Sequence, residues 1–410
     1  MSLTKIEKVL SPMLNELATK GLSKGRETVV TNIIRPRGEK GPRYLIEGYG
    51  DKEFIRMNSN SYLGMSIRED VIDAAEKATR ELGVGPGAVR FISGTYKPHV
   101  ELERILAQFH KREAAMLFSS AYATMMALIP VLVSSDTVVI SDELNHNCII
   151  NAVRLARPKD KKVYKHNDMK ALESVLKDCD GIFNRCIVIT DGVFSMRGDY
   201  APLQDIVQLA FRYECEFEEG ILTVVDDSHG VGAIGAMGRG TTEVTQENKI
   251  DILVATLGKA FGSNGGYLVS DAVIIHYLKE TAPFYIYSNP ISVADASAAI
   301  KALQILDTNA GKGILKHLHE MVAYFRKGLT DLGYEVIPGI HPVVPLMLRD
   351  TQITVDLVNH LKSNSILATG LSYPVVPRGS EEIRFQVCAD HTKYDLDCVL
   401  KVLQKYRQPS

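Results

Sequence analysis

The chain has 410 residues and a formal net charge of −2, with 45% apolar and 23% charged residues. This composition is typical of a folded globular protein, and the small charge gives no general attraction to nucleic acid or acidic membranes. The length predicts about two domains. No apolar run is long enough to span a membrane, and the N-terminus lacks an apolar signal core, so we expect a cytoplasmic protein. The six cysteines are scattered without metal-binding spacing, so neither a metal site nor a disulfide is expected.

Residues 1–50 are predicted to form an N-terminal helix and a connector. Apolar residues recur at helical spacing between positions 3 and 20, which indicates an amphipathic helix. The segment 21–42 is rich in glycine and basic residues, and we interpret it as a polar connector.

Residues 51–305 are predicted to form a large α/β domain. Short apolar runs rich in β-branched residues lie at 137–141, 186–190, 221–225 and 250–256. Continuous runs of this kind are typical of strands buried on both faces of a mainly parallel sheet. Helical patterns lie at 143–157, 202–213 and 291–306. The alternation of strand and helix predicts a mainly parallel central sheet with helices on both faces.

Residues 306–410 are predicted to form a smaller C-terminal α+β domain. Helical segments at 312–332 and 354–364 alternate there with the strand-like pieces "YEVIPG", "VVPLML" and "EIRFQVC". In the larger domain, each predicted strand ends in polar residues, among them Asp142, Asp191 and Asp226. Ligands bind at the carboxyl edge of open α/β sheets, so we predict one site at that edge.

The stretch "VVDDSHGVGAIG" contains Gly230, Gly232 and Gly235 at the spacing of a dinucleotide-binding loop. Such a loop follows a strand directly, opens a helix and precedes an acidic residue on the next strand. Here polar residues separate the apolar run from Gly230, and no helical periodicity follows Gly235. We therefore interpret the glycines as a turn leaving the sheet, with NAD binding as an alternative.

Two segments at the same edge carry residues suited to pyridoxal 5'-phosphate (PLP). Lys259 follows the run at 250–256 in a glycine-rich loop, and Asp226 and His229 follow the run at 221–225. A lysine can form a Schiff base with the PLP aldehyde, and an aspartate can keep the ring nitrogen protonated. The glycines around Lys259 are expected to let the backbone approach the ligand closely.

A phosphate site is predicted near Ser119 and Ser120. These residues follow a short strand and precede an apolar helix that begins near Ala121. The N–H groups at a helix N-terminus bind phosphate, as PLP requires.

Several motifs, in this order along the chain, resemble those of the α-oxoamine synthases. They are "RFISGTYKPHVELE", "SDELNH", "TDGVFSMRGD", "VVDDSHGVGAIGAMGRG" and "TLGKAFGSNGGY", and the similarity extends from "NSYLG" to "IRFQVCADHT". The resemblance implies PLP fold type I, a homodimer with shared active sites, and condensation of an amino acid with an acyl-CoA.

Two further stretches, "PVVPRGSEEIRFQ" and "SDELNHNCIINAVRL", look most like the glycine C-acetyltransferase branch of that family. This similarity implies glycine, or another small amino acid, and a short acyl-CoA such as acetyl-CoA. The alternatives are 8-amino-7-oxononanoate synthase, serine palmitoyltransferase and 5-aminolevulinate synthase. A lysine loop one residue shorter than the acetyltransferase form departs from that branch.

The resemblance also implies roles for matching residues. Lys259 would form the Schiff base, Asp226 would pair with the ring nitrogen, and His229 would contact the phenolic oxygen. His146 would stack on the ring, and Arg384 would bind the substrate carboxylate. The other implied contacts are to the cofactor from Ala121, Tyr122, Ser195 and Thr256, to the neighbouring subunit's phosphate from Ser288 and Asn289, and to the substrate from Asn60.

Two of these residues have alternative interpretations. His146 could be an ordinary loop histidine, and its neighbours Asn145 and Asn147 also suit a helix cap. Arg384 could belong to a surface ion pair, with Arg378 as the competing substrate anchor.

Overall fold

A computed structural model describes residues 2–20, 23, 27–373 and 375–406. The helices are α1 (Ser2–Thr19), α2 (Glu69–Leu82), α3 (Lys97–Phe109), α4 (Ala121–Leu132), α5 (Asn147–Ala156), α6 (Met169–Asp178), α7 (Leu203–Tyr213), α8 (Thr241–Val244), α9 (Ala272–Thr281), α10 (Pro283–Ile286), α11 (Val293–Leu306), α12 (Asn309–Asp331), α13 (Thr351–Ser363) and α14 (Lys393–Lys405).

The strands lie between and after these helices. They are β1 (Val30–Ile34), β2 (Arg43–Ile46), β3 (Ile55–Arg56), β4 (Ala114–Phe118), β5 (Thr137–Asp142), β6 (Asp160–Tyr164), β7 (Arg185–Asp191), β8 (Ile221–Asp226), β9 (Ile252–Thr256), β10 (Gly266–Ser270), β11 (Glu335–Val336), β12 (Val343–Met347), β13 (Ile366–Leu367), β14 (Thr369–Leu371) and β15 (Glu382–Gln386).

A seven-stranded sheet forms the centre of the molecule, in the order β4-β10-β9-β8-β7-β5-β6. The pairs from β9 to β6 are parallel, whereas β10 runs antiparallel to both β9 and β4. The four strands predicted from apolar runs lie side by side as β9, β8, β7 and β5. The predicted mainly parallel sheet is therefore confirmed.

Side chains from successive positions of one strand enter two separate cores. Val139 of β5 belongs to a core with Leu128 of α4 and Ile149 of α5. Its neighbours Val138 and Ile140 belong to the core on the other face, which also contains residues of α3, α6, α7 and α11. Because strand side chains alternate between faces, helices cover both sides of the sheet, as predicted.

The C-terminal part of the chain contains a four-stranded antiparallel sheet in the order β11-β12-β15-β14, with helices α12, α13 and α14. This agrees with the α+β pattern expected from the sequence. The short parallel pair β3–β13 joins residues 55–56 to residues 366–367. The domain boundaries at 51 and 306 stay predictions.

The N-terminal helix is confirmed as α1, but its apolar side chains are exposed in the single chain, including Leu3 and Leu14. The segment interpreted as a connector is corrected in part, because it contains strand β1. The β-branched run "VVTNII" supplies that strand, which pairs antiparallel with β2. Positions 21, 22 and 24–26 of the connector lie outside the described residues. Among the helices of the described chain, none has the length and apolar content to cross a membrane.

Candidate active site

A cavity of about 170 Å³ opens at the carboxyl edge of the large sheet. It receives side chains from the ends of three neighbouring strands, Asp191 of β7, Asp226 of β8 and Thr256 of β9. The full lining is Ser120, Ala121, Tyr122, His146, Cys148, Asp191, Val193, Ser195, Asp226, Ser228, His229, Thr256 and Lys259. The cavity lies at the predicted sheet edge, but Asp142, at the end of β5, does not line it.

Lys259 and Asp226 face the same cavity with opposite charges. Asp226 is buried at the end of β8, where its Oδ1 accepts the N–H of Ser228 at 3.0 Å. Burial lowers the pKa of Lys259 to about 8, although the charges of Asp226 and Asp191 act to raise it. A lysine with this pKa is mostly protonated at pH 7, but its fraction of neutral amine, the nucleophilic form, is far larger than that of an ordinary lysine.

His146 lines the cavity and is itself the N-cap of α5, a position for which the sequence had suggested its neighbours Asn145 and Asn147. Its Nδ1 accepts the N–H of Cys148 at 3.2 Å, and its own N–H donates to Asp191 Oδ2 at 3.0 Å. Burial lowers the pKa of His146. The imidazole ring is thus held neutral, and the backbone N–H of Cys148 orients it.

His229 is buried and bonded at two points. The Tyr62 hydroxyl lies 2.7 Å from His229 Nδ1, and His341 Nε2 lies 2.8 Å from the carbonyl oxygen of His229. Burial, together with the charges of Lys259 and Arg384, holds the pKa of His229 well below its usual range. The imidazole is therefore neutral, and with Nδ1 occupied, Nε2 is left for the cavity.

Arg384 reaches this network from β15 of the C-terminal sheet. Its Nη2 donates to Asn60 Oδ1 at 3.0 Å, and the Tyr62 hydroxyl lies 3.2 Å from the same oxygen. Arg378 is exposed and stacks on Tyr373 at 5.2 Å. Of the two arginines weighed from the sequence, Arg384 is the one that lies beside the candidate site.

The N-terminus of α4 forms the other end of the cavity. Ser120 is the N-cap, its Oγ accepts the N–H of Ala123 at 3.0 Å, and Ala121 and Tyr122 line the cavity. The first N–H groups of a helix have no partner within the helix, and they favour an anion. The predicted helix N-terminus is therefore present, and phosphate binding at it stays a prediction.

Gly266, in the lysine loop, lies against the start of α4. A Cβ added to Gly266 would lie 2.1 Å from the backbone nitrogen of Ala121. Gly266 therefore lets β10 pass directly against the start of α4. The expectation that the glycines around Lys259 let the backbone approach a ligand stays a prediction.

The glycine turn after β8 surrounds Asp227 and not a dinucleotide. Asp227 is fully buried and accepts the N–H and the hydroxyl of Thr241 at 2.7 and 2.6 Å. A Cβ added to Gly230 would lie 2.0 Å from Asp227 Oδ1. No helix follows Gly230 directly, so the turn interpretation is confirmed.

The structure does not bring Ser288 and Asn289 into the cavity of their own chain. They follow the short helix α10, Ser288 partly exposed and Asn289 exposed. Their implied contact with the phosphate of a neighbouring subunit stays a prediction.

Sequence reasoning missed several residues at the site. Asp191 was recognised only as a strand end, yet it pairs in register with Asp226, and burial and that neighbour raise its pKa well above the usual range. Cys148, whose thiol donates to Asp226 Oδ2 at 3.5 Å, gave no signal in the sequence. Tyr62 stands inside the "NSYLG" stretch and could have been considered there.

The cavity fits PLP. It combines a lysine with a lowered pKa, a buried carboxylate and a helix N-terminus, which match the aldehyde, the ring nitrogen and the phosphate. The Ser228 hydroxyl is buried at the cavity without a hydrogen-bond partner among the described residues, so it is available to a bound group. The donors and acceptors present thus suit each polar part of the cofactor.

Comparisons with known proteins agree with this geometry. The family model for class I and II aminotransferases matches residues 52–403. An 8-amino-7-oxononanoate synthase of Thermosipho melanesiensis is 38% identical over 398 residues, which are 97% of this chain and 97% of that protein.

Solved structures of serine palmitoyltransferase are also similar. The enzyme of Sphingomonas wittichii superposes with a TM-score of 0.87 at 26% identity, covering 98% of this chain and 97% of that one. A further serine palmitoyltransferase solved with PLP has a TM-score of 0.84 at 25% identity, with the same coverage. The chain belongs to the class I and II aminotransferase family and, within it, to the PLP-dependent α-oxoamine synthases.

Replacing Tyr62 with phenylalanine is expected to leave PLP bound but to lower kcat. The change removes the hydroxyl bonded to His229 Nδ1, and a hydrogen bond of about 1–1.5 kcal/mol corresponds to roughly tenfold in rate. Steady-state kinetics and the visible spectrum of bound PLP measure the effect. Tyr267→Phe is the matched control, because Tyr267 is also buried and bonds to a histidine, His110, outside the cavity. Equal losses in the two variants would contradict the prediction.

The rate at which cofactor-free enzyme captures PLP is expected to rise with pH and to level off above about pH 8. The pKa of Lys259 is lowered to about 8, so the neutral amine predominates above that pH and the protonated amine below it. Stopped-flow absorbance at the visible band of lysine-bound PLP measures this rate. If the rate instead continued to rise up to about pH 10.5, the usual pKa of lysine, burial would not lower the pKa of Lys259.

Proposed function

We propose that this α-oxoamine synthase condenses L-alanine with a pimeloyl thioester to form 8-amino-7-oxononanoate. The observation that carries the proposal is the 38% identity, over 97% of both chains, to a protein named for that product. The first seven carbons of the product correspond to a pimeloyl group. The remaining carbons and the nitrogen correspond to alanine without its carboxyl group.

The proposed reaction forms one carbon–carbon bond. The α-carbon of alanine attacks the thioester carbonyl carbon, the carbon–sulfur bond breaks, and CoA leaves as the thiol. The alanine carboxylate leaves as carbon dioxide, and a proton takes its place on the α-carbon. These changes account for every atom of the two substrates.

PLP, when bound, supplies an electron sink for the negative charge that develops at the α-carbon. Lys259 holds the cofactor and moves the α-proton, which its lowered pKa permits. Asp226 lies in the same cavity, where its negative charge favours a protonated ring nitrogen. Neutral His229 would contact the ring oxygen of the cofactor through Nε2, because its Nδ1 is bonded to the Tyr62 hydroxyl.

The substrate carboxylate is assigned to Arg384. A guanidinium presents two parallel N–H groups that match the two oxygens of a carboxylate. Asn60 accepts a hydrogen bond from Arg384 at 3.0 Å and so orients its side chain, and both reach the network of His229 through Tyr62. His146, Ser195 and Thr256 line the cavity and would contact the cofactor.

A second candidate reaction, glycine with acetyl-CoA, is favoured by one observation. The stretches "PVVPRGSEEIRFQ" and "SDELNHNCIINAVRL" resemble glycine C-acetyltransferase. Identity over nearly the whole chain outweighs these two short stretches, so the alanine reaction is the preferred proposal.

The proposed enzyme acts as a homodimer. Ser288 and Asn289 lie outside the cavity of their own chain, and this position agrees with a role in the cavity of a second copy. The exposed apolar face of α1 offers additional surface for association.

A matrix of amino acids against acyl-CoAs tests the choice of substrate. Thiol release by holoenzyme is measured for L-alanine, glycine and L-serine with pimeloyl-CoA, acetyl-CoA and palmitoyl-CoA. We expect the highest kcat/KM for L-alanine with pimeloyl-CoA. A preference for glycine with acetyl-CoA would replace the first candidate by the second, and a preference for L-serine with palmitoyl-CoA would contradict both.

A further inference from the structure

His166 lies in the short segment between β6 and α6 and bonds to a carboxylate through each ring nitrogen. Nδ1 is 3.1 Å from Asp142 Oδ1, and Nε2 is 3.1 Å from Asp199 Oδ2. An ionised carboxylate only accepts hydrogen bonds, so both ring nitrogens carry a proton when both bonds form. His166 is therefore an imidazolium held between two acids.

The first acid fixes the loop that leads to His146. Asp142 ends β5, and its side chain accepts the N–H of Leu144 at 2.8 Å and the N–H of Asn167 at 2.9 Å. The loop continues directly to His146, which lines the cavity. The hydrogen bond from His166 to Asp142 therefore restrains the start of the loop that carries His146.

The second acid belongs to the turn that carries Ser195. The N–H of Phe194 donates to the carbonyl oxygen of Asp199 at 2.9 Å, which closes the turn after β7. Val193 and Ser195 of the same turn line the cavity. The His166 ring also stands edge-on to Phe194, with 4.4 Å between ring centroids. One side chain therefore joins both loops.

The charges around His166 favour its protonated form. Burial acts to lower its pKa, but the hydrogen bonds and charges of Asp142 and Asp199 outweigh burial and raise the pKa to about 9. Glu143, which accepts the backbone N–H of His166, pairs with Lys165. Arg197 pairs with Asp199 from its exposed side.

We propose that His166 is a positioning residue that ties the loop of His146 to the loop of Ser195 and thereby sets both side chains against the cofactor. The proposal depends on PLP lying in this cavity, and it is independent of which amino acid and acyl-CoA react. Displacement of a contacting group by about 1 Å can cost about a hundredfold in rate, so a loosened bridge has a measurable effect.

The substitution His166→Gln tests the bridge in the holoenzyme. Glutamine has no positive charge and cannot bond both acids as a cation does. We expect kcat to fall by about tenfold to a hundredfold and the visible circular dichroism of bound PLP to weaken. His360→Gln is the matched control, because His360 bonds to a backbone carbonyl, that of Val402 at 3.3 Å, outside the cavity. The control is expected to retain both signals.

The pH dependence separates positioning from general stability. Since the pKa of His166 is raised from 6.5 to about 9, the ring in the folded protein stays protonated at neutral pH, and the bridge is lost as the pH rises through about 9. We expect the circular dichroism of wild-type holoenzyme without substrate to change over that range. Asp199→Asn removes one of the two acids, so this change is expected at lower pH. In His166→Gln it is expected to be absent.

Unchanged circular dichroism and kcat in His166→Gln would overturn the proposal, as would an equal loss in His360→Gln. If His166→Gln does not fold, an unshifted pH transition in Asp199→Asn would overturn it. Because the spectral measurement uses no substrate, its result does not depend on the proposed reaction.

Discussion

Replacing Lys259 with alanine is expected to abolish covalent attachment of PLP and to lower kcat by about 10³-fold or more. A positioned acid–base group raises the reaction rate by about 10²–10⁴-fold. The Lys259 amine has this role and also holds the cofactor, so the substitution removes both functions. The side chain lies in the cavity opposite Asp226. The measurements are the visible band of lysine-bound PLP and the mass of the chain after borohydride reduction.

A lysine on the surface provides the control for this variant. Lys170 is exposed at the start of α6, so Lys170→Ala is expected to keep the band, the reduced adduct and kcat. Covalent PLP that persists in Lys259→Ala would show that another lysine holds the cofactor.

The substitution Asp226→Asn is expected to preserve PLP binding but to slow exchange of the substrate α-proton by several powers of ten. Asparagine can still accept the N–H of Ser228, so the local backbone is retained, while the negative charge facing the cofactor ring is lost. Each tenfold decrease in the exchange rate corresponds to an increase of about 1.4 kcal/mol in the activation free energy. Proton NMR of the amino acid in deuterated buffer measures the exchange.

Asp227, the next residue in the chain, provides a matched variant that is expected to change stability and not α-proton exchange. Asp227 does not line the cavity and instead bonds Thr241 beneath the glycine turn, where burial raises its pKa to about 7. Asp227→Asn is expected to lower the unfolding temperature, with α-proton exchange per folded molecule retained. Exchange at the wild-type rate in Asp226→Asn would count against its role.

The central strands could be predicted because strands that are buried on both faces contain short runs of apolar residues. β7 and β8 are buried on both faces, so apolar residues predominate at their central positions. β6 was missed because it is the outer strand of the sheet, and its first three residues, Asp160, Lys161 and Lys162, are charged and not buried. β1 was missed because its side chains are mostly exposed, and a two-stranded pair has no apolar core of its own.

Half of the candidate site was predictable for a similar reason. Asp226 is the last residue of one buried strand and Lys259 lies three residues after another, so the sheet places both at one edge. Tyr62 and His341 meet His229 from positions 167 and 112 residues away along the chain. A single sequence contains no signal for such pairs, and only the folded structure brings them together.

The branch of the family was harder to predict than the family itself. The cofactor is bound by side chains in short segments, which form recognisable motifs. No motif for binding an acyl-CoA was recognised in the sequence. The two stretches that favoured glycine and acetyl-CoA were therefore a narrower basis than identity along the whole chain, which supports the alternative with alanine and a longer acyl group.

Product analysis tests most directly whether this chain forms a carbon–carbon bond from an amino acid and an acyl-CoA. Holoenzyme is incubated with isotope-labelled L-alanine and pimeloyl-CoA, and mass spectrometry follows the products alongside thiol release. We expect labelled 8-amino-7-oxononanoate and free CoA in equal amounts. Formation of labelled pyruvate without CoA release would show amino-group transfer instead, and would contradict the assignment of this site to α-oxoamine synthesis.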